Sequence, residues 1–399
     1  MAFQRLEERL FYALLAGGGA LVLAGLGAAH WMEERGHIVT GMDNQVVWGL
    51  PHLFAIFMIV AASGVLNVAS VGSVFGVTVY KKRAPLSGLL SLTLLAGGLM
   101  VLMLDLGRPE RVIVAATHYN FSSVFAWNVF IYSGMFAIVA IYLWTMFERR
   151  FNQHTRAAGI AALVWRFVLT TGTGSIFGFL VARQAYQSAL LAPLFIVLSF
   201  GWGLAVFLVV QWAMFAWNDR RLDAAVQRRL ARLLAVFVAA ALYLVAVYHG
   251  TNLYFARQWP FEAFVLLGRD GGGVFALLFW LGYVVLGSLL PLGLLFHPRA
   301  GGTAPLLGAA ALVIVGAFAF LYVFIIGGQA FPLDIFPGHE VRSSFGDGAI
   351  AHYVPSWPEL LLGVGGVGLA FVLTTVGVRV LDFLPHDDPP PVVPIEEAH

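Results

Sequence analysis

Three short stretches carry residue types that can do chemistry in an otherwise oily chain. "GMDNQVVWGLPH" (41–52) holds Trp48 and His52, "LDLGRPER" (104–111) holds Asp105 and Arg108, and "HYNFSSVFAWN" (118–128) ends on Trp127 and Asn128. Each lies at the edge of a long apolar segment. A histidine titrates near neutrality, and a carboxylate at the rim of a bilayer is costly and usually functional. Together they can give and take protons. Asparagine and arginine donate hydrogen bonds, and tryptophan offers a flat apolar face. That set suits a quinone, an amphipathic ring whose two carbonyls need donors and whose reduction takes up protons with electrons. His52 and Asp105 are therefore the candidates for proton transfer, and His52, Trp48, Asp105, Arg108, Trp127 and Asn128 the candidates for quinone contact.

Blander readings compete. Asp105 and Arg108 stand at i, i+3 and on a helix can pair with each other, with Pro109 stopping the helix. His52 can be a core histidine bonded to a carbonyl, and the tryptophans can belong to an interfacial aromatic belt.

The elements that must position these residues follow from composition. The chain is 60% hydrophobic and 11% charged, with mean hydropathy +0.85. A soluble domain carries about a quarter charged residues, so this is an integral membrane protein. The net charge of +2 and the lack of a basic block speak against nucleic acid. No cysteine is present, which excludes disulfides, Cys-bound iron–sulfur clusters, c-type haem attachment and a thiol nucleophile in this chain. No covalently or Cys-bound cofactor and no metal site is expected. Redox centres must come from other subunits or a diffusible carrier.

Apolar runs long enough to cross a bilayer fall at about 10–30, 47–71, 86–106, 124–147, 157–182, 187–217, 231–254, 271–296, 304–326 and 357–381. The predicted fold is all-α, with ten transmembrane helices in a membrane domain over 1–383. The Pro-rich acidic tail 384–399 is expected to be disordered and cytoplasmic. With the N-terminus inside, fifteen of the 23 Lys and Arg face the cytoplasm and seven the outside, leaving Arg166 alone within a span. This bias predicts N- and C-termini in the cytoplasm of a bacterial or archaeal inner membrane. The candidate residues then share the outer face.

Two further features stand apart. Arg166 must face a polar interior, as a pin between helices or as part of a proton path. His249, Asn252 and Tyr254 in "YHGTNLYFARQ" (248–258) make a second polar cluster at the outer level. A b-type haem would need axial histidines, for which His52 and His249 are the available pair.

The stretches "GMDNQVVWGLPH", "LDLGRPER" and "HYNFSSVFAWN" resemble the NrfD/PsrC family, the membrane subunits of polysulfide reductase-type respiratory complexes. The likeness runs through spans 2–5 and more weakly through 6–10. Ten spans, with the "GMDNQVVWGLP" stretch and the region 336–363, resemble the DsrP and HmcC-type members. The resemblance implies two four-helix bundles (about 47–182 and 187–326) with two flanking helices, and a quinone site near the outer face of the first. It implies menaquinone or ubiquinone as the carrier. It also implies a periplasmic ferredoxin-like iron–sulfur partner and further redox subunits. By position it assigns His52, Asp105, Arg108 and Asn128 to the site. In the eight-span members, quinone contacts come partly from the first helix.

The expected function is thus a quinone-site subunit of a sulfur-metabolism-type oxidoreductase complex, not a stand-alone enzyme. A secondary transporter, a proton-translocating subunit and a passive anchor are the rivals.

Overall fold

The computed structural model describes residues 8–218, 223–296, 302–333, 348–381 and 383–384. Ten helices in it are long and apolar enough to cross a membrane, and no strand occurs among the described residues. They are α1 (Glu8–Arg35), α2 (Leu50–Ser73), α3 (Ala84–Leu104), α4 (Val124–Phe147), α5 (Arg149–Gly178), α6 (Leu191–Trp217), α7 (Ala224–Tyr254), α8 (Gly273–Phe296), α9 (Thr303–Ala330) and α10 (Trp357–Val380). The protein is an all-α integral membrane protein, as predicted. The proposed tail beyond 384 and positions 336–347 of the region 336–363 lie outside the described residues.

Helix ends differ from the hydropathy estimate where local chemistry intervenes. The second apolar run starts near 47, but Gly49 caps α2 and Pro51 occupies its first turn. Trp48 therefore precedes the helix, and His52 sits in its first turn. α7 begins seven residues before the estimate because the Asp223 side chain accepts from the Ala225 N–H at 2.7 Å.

α2, α3, α6 and α9 are the most enclosed helices, while α1 is the most exposed. α2 contacts α3, α5, α6 and α10. α1 packs on α10, which also contacts α3. Small residues permit these approaches, since lipid-embedded helices gain from dispersion contact rather than from expelled water. At Gly25 an added Cβ would stand 2.8 Å from the Gly365 Cα, so α1 and α10 meet backbone to backbone.

At one end of the helices lie the α1–α2, α3–α4, α5–α6, α7–α8 and α9–α10 connections, the first three and the last joined by hydrogen bonds described below. This is the His52 end. The short helix Trp259–Leu267 folds into the α7–α8 connection there.

Candidate functional site

His52 and Asp105 meet across α2 and α3. The His52 Nδ1 is 2.7 Å from the Asp105 Oδ2, with side chains 12% and 1% exposed. The contact is close but poorly aligned: neither the Nδ1 nor either carboxylate oxygen has a well-directed hydrogen-bond partner. It is a close contact more than a straight hydrogen bond, an ion pair when the histidine is protonated, and it leaves directional capacity in a dry place. Such a buried acid is tolerable only beside a partner that can share a proton or a charge.

Sequence reading paired Asp105 with Arg108, and the structure corrects this. α3 ends at Leu104 and Asp105 is its C-cap. Gly107 then takes φ +70 and turns the chain away, so the i, i+3 phase is lost. Arg108 is exposed, and among the described residues no salt bridge joins it to Asp105. A third group, missed by sequence reading, comes to Asp105 instead. His37, between α1 and α2, places its Nε2 3.0 Å from the Asp105 carbonyl and 4.0 Å from its Oδ1. A Cβ on Gly107 would stand 2.8 Å from the His37 Cε1. The glycine thus serves both the turn and the seating of His37.

Trp48 stacks on the His52 ring at 5.9 Å and 28° between planes. It also meets Phe177 of α5 edge-on at 5.6 Å and Phe125 of α4 at 6.1 Å. Trp127 and Asn128 lie apart from this cluster. Trp127 is largely exposed and donates from Nε1 to the Phe121 carbonyl at 2.6 Å. Asn128 is buried, its amide donating to the Val124 carbonyl at 3.3 Å while its Oδ1 has no partner. Trp127 lines an apolar groove of about 410 Å³ between α4 and α5, with Gly172 opposite and the Asn128 Oδ1 just beneath it. The candidates thus divide into a proton-handling cluster (His52, Asp105, Trp48, with His37) and Trp127 on the groove wall, with Asn128 close behind the Gly172 side of that groove. Arg108 stands outside both.

The segment 45–50 must be held rigidly for His52 to meet Asp105, and distant residues hold it. The Gln329 Oε1 accepts from the Val47 and Trp48 N–H groups at 3.1 and 3.0 Å, while its Nε2 donates to the Trp48 carbonyl at 2.9 Å. Arg183 donates to the Gln329 and Gln45 carbonyls, each at 2.9 Å. Burial lowers the Arg183 pKa from its ordinary value. The Leu50 N–H donates to the Tyr353 hydroxyl at 2.7 Å, which donates to the Glu359 Oε1 at 2.5 Å. Glu359 also accepts from the Gly41 and Ser356 N–H groups at 3.0 and 2.7 Å. Burial and the neighbouring carboxylate raise the Tyr353 pKa well above its ordinary value, which keeps it a donor. Glu359 carried only a faint sequence signal, as an acid inside an apolar run, Gln329 just beyond a run carried none, and nothing local named their partners.

Arg166 is a pin. It donates to the Asn67 Oδ1 of α2 at 2.5 Å and lies over the Phe167 and Phe200 rings. His52 and His249, the pair considered for a haem, each engage a carboxylate of their own through Nδ1. Among the described residues no cluster of three or more His, Asp or Glu is arranged to hold a metal.

Known proteins place this architecture. The family model described as polysulphide reductase, NrfD, matches residues 38–333. The Hdr-like menaquinol oxidoreductase integral membrane subunit of Archaeoglobus fulgidus is 29% identical over 349 residues, which cover 87% of each chain. A selenate reductase subunit of Mesobacillus selenatarsenatis is 20% identical over 94% of both chains. A polysulfide reductase subunit of Wolinella succinogenes is 25% identical over 72% of this chain and 96% of its own. With the model spanning well over half of its length, this multi-pass membrane chain belongs to the NrfD family.

Proposed function

We propose that the chain is the quinone-site subunit of a membrane oxidoreductase complex, with the quinone head group held at the His52 end. The observation that carries this is the His52–Asp105 contact at 2.7 Å, buried and imperfectly satisfied, beneath the Trp48 face. The menaquinol oxidoreductase subunit among its relatives supports the substrate class, with menaquinone favoured over ubiquinone.

The chain's residues then act as follows. The His52 ring, its Nδ1 held by Asp105, presents Nε2 to a ring oxygen as donor or acceptor. Interconverting quinol and quinone moves two electrons and two protons. His52 exchanges each proton with the ring oxygen in turn and relays it to or from Asp105, whose carboxylate stabilises the imidazolium formed, while the electrons pass to or from the redox partner. His37 positions Asp105 from behind. Trp48 covers the head group, and the groove beside Trp127 and Asn128 receives the isoprenoid tail. Arg108 serves at most at the rim, in the field of the carboxylate.

The helices form two four-helix bundles, α2–α5 and α6–α9, flanked by α1 and α10. Electrons pass to or from a periplasmic ferredoxin-like iron–sulfur subunit and further redox subunits of a sulfur-metabolism-type complex. The His52 end faces the periplasm, with both termini in the cytoplasm, as the Lys and Arg bias indicates. The polysulfide and selenate reductase relatives support membership of such a complex.

The test is binding of a quinone analogue, 2-heptyl-4-hydroxyquinoline N-oxide, to the purified chain by fluorescence quenching. Tight binding that weakens at least tenfold in His52→Ala and Asp105→Asn is expected. Unaltered binding in both variants overturns the site, and no binding to the wild type favours a passive anchor. Substrate-driven uptake by proteoliposomes holding this chain alone would favour a transporter.

A further inference from the structure

A second histidine–carboxylate pair lies in the other half of the molecule, and no part of the proposed function uses it. His249 in the last turns of α7 places its Nδ1 2.7 Å from the Glu262 Oε2. Glu262 belongs to the short helix Trp259–Leu267 and is fully buried. Its other oxygen accepts from the Asn252 Nδ2 at 2.8 Å. Unlike Asp105, this carboxylate has a hydrogen-bond partner on each oxygen, and the contact holds His249 in one orientation, with Nδ1 inward. A carboxylate held dry at this depth is expensive unless it orients a functional partner.

The pair opens on a groove. A cavity of about 490 Å³ lies between α7, the short helix and α8, and among its lining residues only His249 and Glu262 are titratable. Its walls are otherwise apolar and aromatic, with Trp259 and Trp280 exposed at its edge. Phe279 meets the His249 ring edge-on at 4.8 Å. The stretch of α8 that carries Phe279 and Trp280 (Leu278–Leu289) is π-helical, as is Tyr322–Gly327 of α9 behind it. Such segments widen the turn, re-aim side chains and frequently mark functional sites. His249 also lines a small internal cavity beside Phe324, so it stands between the groove and the protein interior.

The chemistry narrows the occupant. An acyl chain needs no oriented histidine, and a phospholipid head group needs cations that the groove lining lacks. A flat ring carrying a carbonyl satisfies the aromatic walls, the lipid-side opening and the single imidazole nitrogen left over.

We propose that this groove is a second binding site for a quinone-class molecule, with the His249 Nε2 accepting from a quinol hydroxyl when the ring is neutral and donating to a quinone carbonyl when it is protonated, and with Glu262 and Asn252 positioning His249. The ligand class rests on the reading of the first site, whereas the residues are separate from it. Each of the two sites thus has an Nδ1–carboxylate pair at 2.7 Å, and here the pair itself lines the groove.

The experiment is the stoichiometry of 2-heptyl-4-hydroxyquinoline N-oxide bound per purified chain, with a thermal melt of each variant. Two molecules are expected for the wild type, one for His52→Ala, one for His249→Ala and none for the double variant. Gly250→Leu serves as a second probe. Gly250 lines the groove and an added Cβ there meets nothing within 4 Å, so a larger side chain has open space at its root and occupies groove volume. It should remove one molecule with an unchanged melt. A wild-type stoichiometry of one that His52→Ala abolishes overturns the second site and leaves the first standing. A stoichiometry that responds to His249→Ala and Gly250→Leu but not to His52→Ala keeps the second site and removes the first. Two molecules retained in Gly250→Leu overturn the proposal.

Discussion

A double-mutant cycle on His52 and Asp105 tests whether the pair acts as one unit. Asp105 has a side chain 1% exposed, with the His52 Nδ1 at 2.7 Å and the His37 Nε2 at 4.0 Å. His52→Leu leaves a carboxylate in that dry place with only the distant His37 beside it. Removing one partner of a buried pair costs about 3–5 kcal/mol, whereas replacing both by apolar groups is often close to neutral. Asp105→Leu alone leaves a neutral imidazole and should cost about 1–3 kcal/mol, the desolvation penalty of an unpaired polar group. The double variant should therefore be no less stable than His52→Leu, with a coupling of at least about 1–3 kcal/mol. At ~2.1 cal/mol/K of unfolding entropy per residue, a chain of this length shifts its Tm by about 1.2 °C per kcal/mol. His52→Leu should then melt about 4–6 °C below the wild type. The double variant should recover part of that deficit. The assay is a thermal melt in detergent, read together with quinone-analogue affinity. Singles whose Tm losses simply add in the double variant would refute the reasoning, because the two groups would then be energetically independent.

Other outcomes follow from particular residues. Gly107→Ala should cost about 1–2 kcal/mol for the positive φ and loosen His37, lowering the melting temperature and analogue affinity together. Arg108→Ala should stay within about 0.5 kcal/mol of the wild type in stability, as exposed positions do; a loss of analogue affinity beyond about tenfold would bring Arg108 into the site. Tyr353→Phe should cost about 1–3 kcal/mol by leaving the Leu50 N–H and Glu359 short of a partner. The same residue sets an alkaline limit. The folded-state pKa of Tyr353 is raised above 10.0, so the unfolded chain ionises first, and stability present below pH 10 falls as pH climbs past it. Melting temperatures in Tyr353→Phe should decline less steeply over that range. Because the chain has no cysteine, single Glu110→Cys and Gln153→Cys variants report topology: an impermeant thiol reagent should label the first from outside the cell and leave the second untouched.

Hydropathy was enough to place ten helices, since a 30 Å apolar core demands about twenty apolar residues per crossing whatever the tertiary arrangement. The same alternation brings His52, Asp105 and His249 to one end, because each sits at the matching end of its own span. Residue type alone marked them as chemically expensive in lipid. The pairing was not legible. Asp105 looked like a partner for Arg108 as long as α3 was assumed to continue, and only the left-handed turn at Gly107 shows that it does not. His37, Gln329, Arg183 and Glu359 reach the site from 68 to more than 300 residues away in sequence. No local pattern encodes such contacts. Glu262 stands in no motif of the sequence, and only the short helix turns it inward onto His249. Solvent sets which segments cross the membrane, and it acts on each segment separately. Which buried polar groups satisfy one another is decided between segments, by packing that exists only once all ten helices are in place.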